Sequence, residues 1–246
     1  MNILERYTRQ IPIFGKEGQM KLKHSKVIIV GVGGLGSVVS TYLTLAGVGE
    51  ITIIDYDTIE LSNLNRQFLH TNNDINKKKV LSGYEKLSAL NPSIKIDIID
   101  QKISNDNIDS LIKKDIILVE ALDNIESRKI LFKYAHENKI PYFHAGVSGF
   151  IGQVSTFLHN ENDPCLFCII PNNENKLKPP VLGSTVGVIG SIQCNEVIKY
   201  ITNKGSLLLK KMLIWNGLEN TIDYIAFSKN ENCPICGKKI NKDFFT

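Results

Sequence analysis

The sequence has no apolar run near the roughly 20 residues that a membrane-spanning helix needs. Its N-terminus also lacks the apolar stretch of a secretory signal, so a cytoplasmic location is expected. There is no long block of one charge. The 29 basic and 25 acidic residues leave a net charge of +4, and Lys77-Lys78-Lys79 and Lys210-Lys211 are too short to argue for nucleic acid. Cysteine is scarce: five in 246 residues, which excludes a disulfide scaffold, and four of them form two CxxC pairs. No repeat and no low-complexity segment interrupts the chain, and at 43% hydrophobic residues it can bury a sizeable core.

The stretch Val27–Asp55 organises what is present. Val27–Val30 is a short β-branched run, expected as a buried strand. Gly31-Val32-Gly33-Gly34-Leu35-Gly36 follows, then a helical pattern through Leu45, a second strand at Ile51–Ile54, and Asp55. Gly31 allows the tight turn, Gly33 admits a phosphate to the backbone, and Gly36 lets helix and strand pack closely. The helix N-terminus offers amides to an anion, and Asp55 is placed to accept from a ribose hydroxyl. A nucleotide site is expected, with NAD or FAD as the default ligand.

Downstream, Asp57–His70 reads as a polar loop leaving a strand end, where ligands of an open parallel sheet lie. A short helix is expected at Lys16–Lys23, and one over Ile75–Leu90 with Asp74 as its N-cap. Strands are expected at Ile94–Ile99, Ile116–Val119 and Pro141–Ala145, with helices at Asp106–Lys113 and Glu126–Asn138 between them. This alternation argues a doubly wound, mostly parallel sheet. From residue 149 the pattern changes: a strand at Gly149–Leu158, a long loop over 160–182, a helix at Ser184–Ile201, and strands at Met212–Trp215 and Ile222–Phe227 around an Asn216-Gly217 turn. The expected fold is Rossmann-like α/β, one domain over 1–246: an N-terminal arm (1–25), a nucleotide-binding half (26–148) and a second half (149–246) with antiparallel strands.

Cys165-Leu-Phe-Cys168 and Cys233-Pro-Ile-Cys236 have the spacing by which one backbone turn presents two thiolates to a tetrahedral ion. Together they are expected to form a four-cysteine zinc site that staples the tail to the long loop; the alternatives are buried free thiols or a redox CxxC, which would need a thioredoxin-like setting that is absent. Asp123 and Asn124 follow a strand, where a carboxylate reaches Mg²⁺ held by phosphates; the plainer alternative is a helix N-cap. Arg66 and Lys79 are cations on the ligand side, useful for displacement at phosphorus and superfluous for hydride transfer, which points to ATP. His24, His70, His136, His144 and His159 show no metal spacing, and His144 reads as a hydrogen-bonded core group.

Arg6-Tyr7-Thr8-Arg9-Gln10, the Gly31–Gly36 loop, Asp55-Tyr56-Asp57, Ser62–His70, Lys79, Leu122-Asp123-Asn124, Gly187–Ser191 and the CxxC pairs occur in one order. In this the chain resembles the MoeB/ThiF/HesA family, prokaryotic relatives of ubiquitin-activating E1 enzymes, from about Leu4 to Cys236. The resemblance implies an adenylyltransferase. With ATP and Mg²⁺ it would activate the C-terminal Gly-Gly carboxylate of a small ubiquitin-like sulfur-carrier protein, for thiamine, molybdopterin or another sulfur-containing product. It implies that Asp55, beside Asp57, holds the ribose, and that Gly31, Gly33, Gly34 and Gly36 line the nucleotide. Asn63, Arg66, Gln67 and Lys79 would surround the phosphates, and Asp123, next to Asn124, would bind Mg²⁺. Arg9 would reach the partner's site in a homodimer, and Cys165, Cys168, Cys233 and Cys236 would bind zinc.

One departure stands out. Many members carry a cysteine between the first CxxC and the following helix, but Ile169–Thr185 has none. Cys194 shares helical spacing with Val197, Ile198 and Ile201 and is expected in the core. Peptide-activating members usually add an N-terminal recognition segment, which this sequence does not show, and tRNA-acting members usually lack the CxxC pairs. A carrier protein is therefore expected ahead of a peptide or tRNA carboxylate. An oxidoreductase would leave Arg66, Lys79 and the cysteines idle, and a non-catalytic module would be expected to lose such groups.

Overall fold

The structure is a computed structural model, and it describes residues 3–170 and 179–237. After a 3₁₀ turn at Ile3–Tyr7 the elements are α1 (Ile11–His24), β1 (Lys26–Val30), α2 (Gly34–Ala46), β2 (Glu50–Ile54), α3 (Lys79–Leu90), β3 (Lys95–Ile99), α4 (Ile108–Leu111), β4 (Ile117–Glu120), α5 (Ile125–Glu137), β5 (Tyr142–Ser148), β6 (Ile151–Phe157), α6 (Gly183–Thr202), β7 (Lys211–Asn216) and β8 (Thr221–Ala226). One sheet runs β3-β2-β1-β4-β5-β6-β7-β8. The pairs from β3 to β5 are parallel and those from β5 to β8 antiparallel. The change of pattern after residue 149 is this switch.

Alternate residues of each central strand feed two cores. Ile28, Val30 and Leu118 pack with Leu131 and Phe132 of α5. Val27, Ile29, Ile51 and Ile53 pack with Leu43 of α2, Leu87 of α3 and Val197 of α6. With helices on both faces, the central strands are mostly apolar, as a doubly covered parallel sheet requires, with Glu120 of β4 and His144 of β5 as buried polar exceptions. Cys194 lies in the second core, 3% exposed, and burial pushes its thiol up to about 12. Among the described residues no helix is long and apolar enough to cross a membrane.

Three local readings need correction. Helix α1 is broken at Gly15, whose φ of 76° is non-helical, so only its second part matches Lys16–Lys23. The helix expected from Ile75 begins at Lys79, and Asp74 does not cap it. Asn76 is left-handed (φ 69°), and its N–H, like that of Ile59, is committed to a two-way pairing of Ile59 with Asn76 and Lys77. Asp74 instead closes a 3₁₀ turn, accepting from Thr71 N–H at 2.7 Å. The β7–β8 turn spans residues 217–220 with Asn220 left-handed, because Asn216 pairs with Thr221.

Candidate active site

Strand β1 lies between β2 and β4: the chain builds β2 and β3 to one side of it and then returns to build β4 and β5 on the other. A crevice opens at the carboxyl ends of strands at such a point. It holds a cavity of about 390 Å³ lined by the glycine loop, the exits of β2 and β4, and parts of β5 and β6. The loop is glycine by necessity at two positions. Gly31 has φ +99°, and a Cβ there would sit 2.4 Å from the Ala121 carbonyl oxygen. A Cβ on Gly36 would sit 1.9 Å from the Gly31 carbonyl oxygen, so Gly36 serves helix–strand packing and does not line the cavity.

Asp55 is gripped by two amides: Val32 N–H donates to Oδ2 at 2.7 Å and Asp57 N–H to Oδ1 at 2.8 Å. Burial raises its pKa above the ordinary carboxylate value, against Lys79 and these amides. Lys79 is 7% exposed and donates to Asp57 Oδ2 at 2.7 Å. The late start of α3 makes this possible, since Lys79 N–H bonds Asp57 O at 3.1 Å. Arg66 stands at the cavity on Ser62 O and Asn65 Oδ1, both at 2.9 Å. Gln67 is buried in the wall, and its Oε1 has no partner among the described residues. A ligand donor would satisfy it.

Gly31, Gly33, Gly34, Asp55, Asp57, Arg66, Gln67, Lys79, Asp123 and Asn124 all line this one cavity. Asn63 does not; it is buried and its Oδ1 accepts from Glu60 N–H at 3.1 Å. Arg9 is exposed and outside the lining. Asn124 caps α5, its Oδ1 accepting from Ser127 N–H at 2.8 Å, so the N-cap alternative holds for Asn124 while Asp123 stays exposed at the cavity.

Among the lining residues that escaped the sequence reading are Arg128 and Gln153. Arg128 donates from Nε to Glu120 at 2.6 Å and from a terminal nitrogen to Leu122 O at 3.0 Å, tying α5 to the loop that carries Asp123. Its place one turn after the Asn124 cap was the available signal. Gln153 on β6 carried no local signal. Burial works against the Glu120 charge, but Arg128 and His144 outweigh it and hold the carboxyl below its usual range.

Away from the cavity, Cys165, Cys168, Cys233 and Cys236 bring their sulfurs within 4.8 Å of one another and could hold a metal ion. Contacts of 3.3 Å (Cys165–Cys233), 3.4 Å (Cys168–Cys236) and 3.9 Å (Cys165–Cys168) bracket the spacing of about 3.8 Å around a tetrahedral ion with 2.3 Å metal–sulfur bonds. His136 and His159, apart in sequence, meet Nδ1 to Nδ1 at 3.1 Å.

A profile described as the ThiF family matches residues 7–235. The chain belongs to the ThiF family. Within it, the chain is similar to the molybdopterin-synthase adenylyltransferase of Salmonella typhimurium, 34% identical over 239 residues, covering 95% of this chain and 96% of that one. It is also similar to the sulfur carrier protein adenylyltransferase of Thermus thermophilus, 33% identical over 250 residues, covering 95% and 91%. Among solved structures it resembles E. coli MccB crystallised with AMPCPP and MccA, with TM-score 0.84 and 28% identity, over 96% of this chain and 75% of that one. As a ThiF-family protein it is an E1-like adenylyltransferase.

Proposed function

We propose that this enzyme transfers AMP from ATP to the C-terminal Gly-Gly carboxylate of a small ubiquitin-like sulfur-carrier protein, in the biosynthesis of a sulfur-containing cofactor. The convergence of Asp55, Arg66, Lys79 and Asp123 on one cavity beside the glycine loop carries this reading. The names of the relatives support the substrate class. In this reaction a carboxylate oxygen attacks the α-phosphorus, the bond to pyrophosphate breaks, and an acyl-adenylate forms. No general base is needed, because the carboxylate is ionised at pH 7. What must be overcome is the meeting of two anions.

The residues divide that work. Asp55 accepts from the ribose, with both oxygens pre-oriented by amides. Gly31, Gly33, Gly34 and Gln67 line the nucleotide. Lys79 exchanges Asp57 for a phosphate oxygen, and Arg66 offers a second cation. Asp123 is the carboxylate for Mg²⁺, which when bound neutralises charge on the phosphates. Asn63 shapes the phosphate-side loop from behind. The exposed position of Arg9 supports its service in trans, in the partner's site of a homodimer. Residues 26–148 hold the nucleotide and residues 149–246 receive the carrier. The wholly exposed β8, with Ile222, Tyr224 and Ile225, offers apolar surface for docking.

The metal of the four-cysteine cluster is zinc, bound for structure: four thiolates at this spacing suit its tetrahedral preference and leave no open position. Such reduced thiols suit the cytoplasm. With no cysteine in Ile169–Thr185 and Cys194 buried, the chemistry stops at the acyl-adenylate or hands the acyl group to an external nucleophile.

ATP–pyrophosphate exchange tests the reading. Exchange that depends on one Gly-Gly-ended carrier from the same organism is expected. A short peptide as acyl substrate, the alternative the sequence leaves, is the second reading. No exchange with any carrier, alongside exchange with a peptide, would select it.

A further inference from the structure

The carboxylate of Glu120 is fully buried and receives three donors: Arg128 Nε at 2.6 Å, His144 Nδ1 at 2.6 Å and Tyr142 OH at 3.0 Å. An ionised carboxylate only accepts, so Nδ1 of His144 carries the proton. Burial lowers the His144 pKa in spite of Glu120, which favours the neutral ring, and the amide nitrogen of Gln153 facing Nε2 agrees with it. A neutral imidazole has one N–H, which leaves Nε2 a bare acceptor. Its neighbour at 3.1 Å is the side-chain amide of Gln153. Only the NH₂ branch of that amide can donate. The oxygen therefore occupies the other branch, and it has no hydrogen-bond partner among the described residues, although Gln153 lines the cavity. Register makes room for this. Gly146 stands opposite Gln153, and a Cβ there would approach the amide nitrogen to 3.1 Å.

We propose that Gln153 is a specificity residue for the acyl substrate, accepting through Oε1 from a backbone N–H of its C-terminal segment, and that Glu120 and His144 are positioning residues that keep this oxygen turned to the cavity. The proposal rests on the adenylation reading above. Position in the sheet separates this acceptor from the nucleoside. Asp55 leaves β2, and Gln153 lies on β6, four strands away in the order β2-β1-β4-β5-β6. At about 4.8 Å per step that is roughly 19 Å. The acyl substrate enters from this antiparallel side, and an extended chain brings a backbone N–H with each residue.

The test uses the full-length enzyme with a Gly-Gly-ended sulfur-carrier protein that supports exchange. Gln153→Met removes the acceptor, keeps the size and leaves Glu120 untouched. It should raise KM for the carrier about three- to tenfold, the size of one neutral hydrogen bond. The rate at saturating carrier and KM for ATP should move less than about twofold. His144→Phe should give the same carrier KM, and the double variant should be no worse than either single one, because the same bond is lost. An equal rise in KM for ATP, an unchanged carrier KM in Gln153→Met, or additive effects would overturn the proposal. Nitrogen-15 NMR of the imidazole reads the relay without turnover: at pH 7.5 His144 should be in the neutral Nδ1–H form, with Nε2 unprotonated. An Nε2–H form, or a doubly protonated ring at that pH, would overturn the positioning role. If the wild type exchanges with no carrier at all, the adenylation reading fails and takes the substrate role of Gln153 with it, while the NMR result still decides the orientation of His144.

Discussion

Lys79 Nζ lies 2.7 Å from Asp57 Oδ2, so a nearly buried ammonium facing the nucleotide cavity is balanced by a half-exposed carboxylate of the same chain. Lys79→Met keeps the length and removes the charge. It should lower kcat/KM for ATP by about 10²-fold or more, as loss of a charge aimed at a transferring phosphate does. Stability should change by no more than about 1 kcal/mol, because Asp57 is left solvated. Exchange kinetics and urea unfolding check the two halves of this expectation.

Arg9 is exposed, outside the cavity that Asp123 lines. Arg9→Ala and Asp123→Ala should each be inactive in pyrophosphate exchange. Co-expressed, they should regain partial activity, since a hybrid dimer holds one complete site. Activity no greater than the sum of the two parents would rule out a role in trans.

Arg128 satisfies two acceptors at once, buried Glu120 and the Leu122 carbonyl. Arg128→Met should cost about 3–5 kcal/mol in urea unfolding, because a buried carboxylate loses its partner. Arg128→Lys should recover little of this, since an ammonium cannot reproduce the fork that spans both acceptors.

The four-cysteine cluster should hold one zinc ion per chain in freshly purified protein, as elemental analysis can measure. Cys233→Ser should lower that content and the Tm, since Cys233 and Cys236 are the tail's ties to Cys165 and Cys168. Metal-free wild type with an unchanged Tm would count against a structural ion.

His70 is buried, with Nε2 donating to the Val32 carbonyl at 3.1 Å and Nδ1 accepting from Ser82 at 2.9 Å. Burial lowers its pKa. A group that protonates in the unfolded chain before the folded one favours unfolding as pH falls, so stability should drop below about pH 6.5. Between pH 7.5 and 5.5 one such histidine accounts for at most about 1.4 kcal/mol. His70→Gln should be less stable at pH 7.5 but show a shallower loss, read from urea midpoints at both pH values.

The parts of this protein legible from the chain alone are those whose chemistry is local. The turn at Gly31, the close packing at Gly36 and the distance to Asp55 follow from the geometry of one strand–helix–strand unit, so their spacing reads directly. The CxxC pairs read for the same reason, since each presents two sulfurs from one turn. Cys194 reads as core because helical spacing decides which face it occupies. Folding was needed wherever partners come from separate strands. Glu120, His144 and Gln153 sit on β4, β5 and β6, and no spacing joins them. Their meeting depends on strand order and on the β5–β6 register, in which a shift of one residue would turn His144 to the opposite face. The delayed start of α3 is of the same kind: backbone pairing of Asn76 and Lys77 with Ile59 outweighs the helical pattern of the sequence, and that pairing brings Lys79 to Asp57.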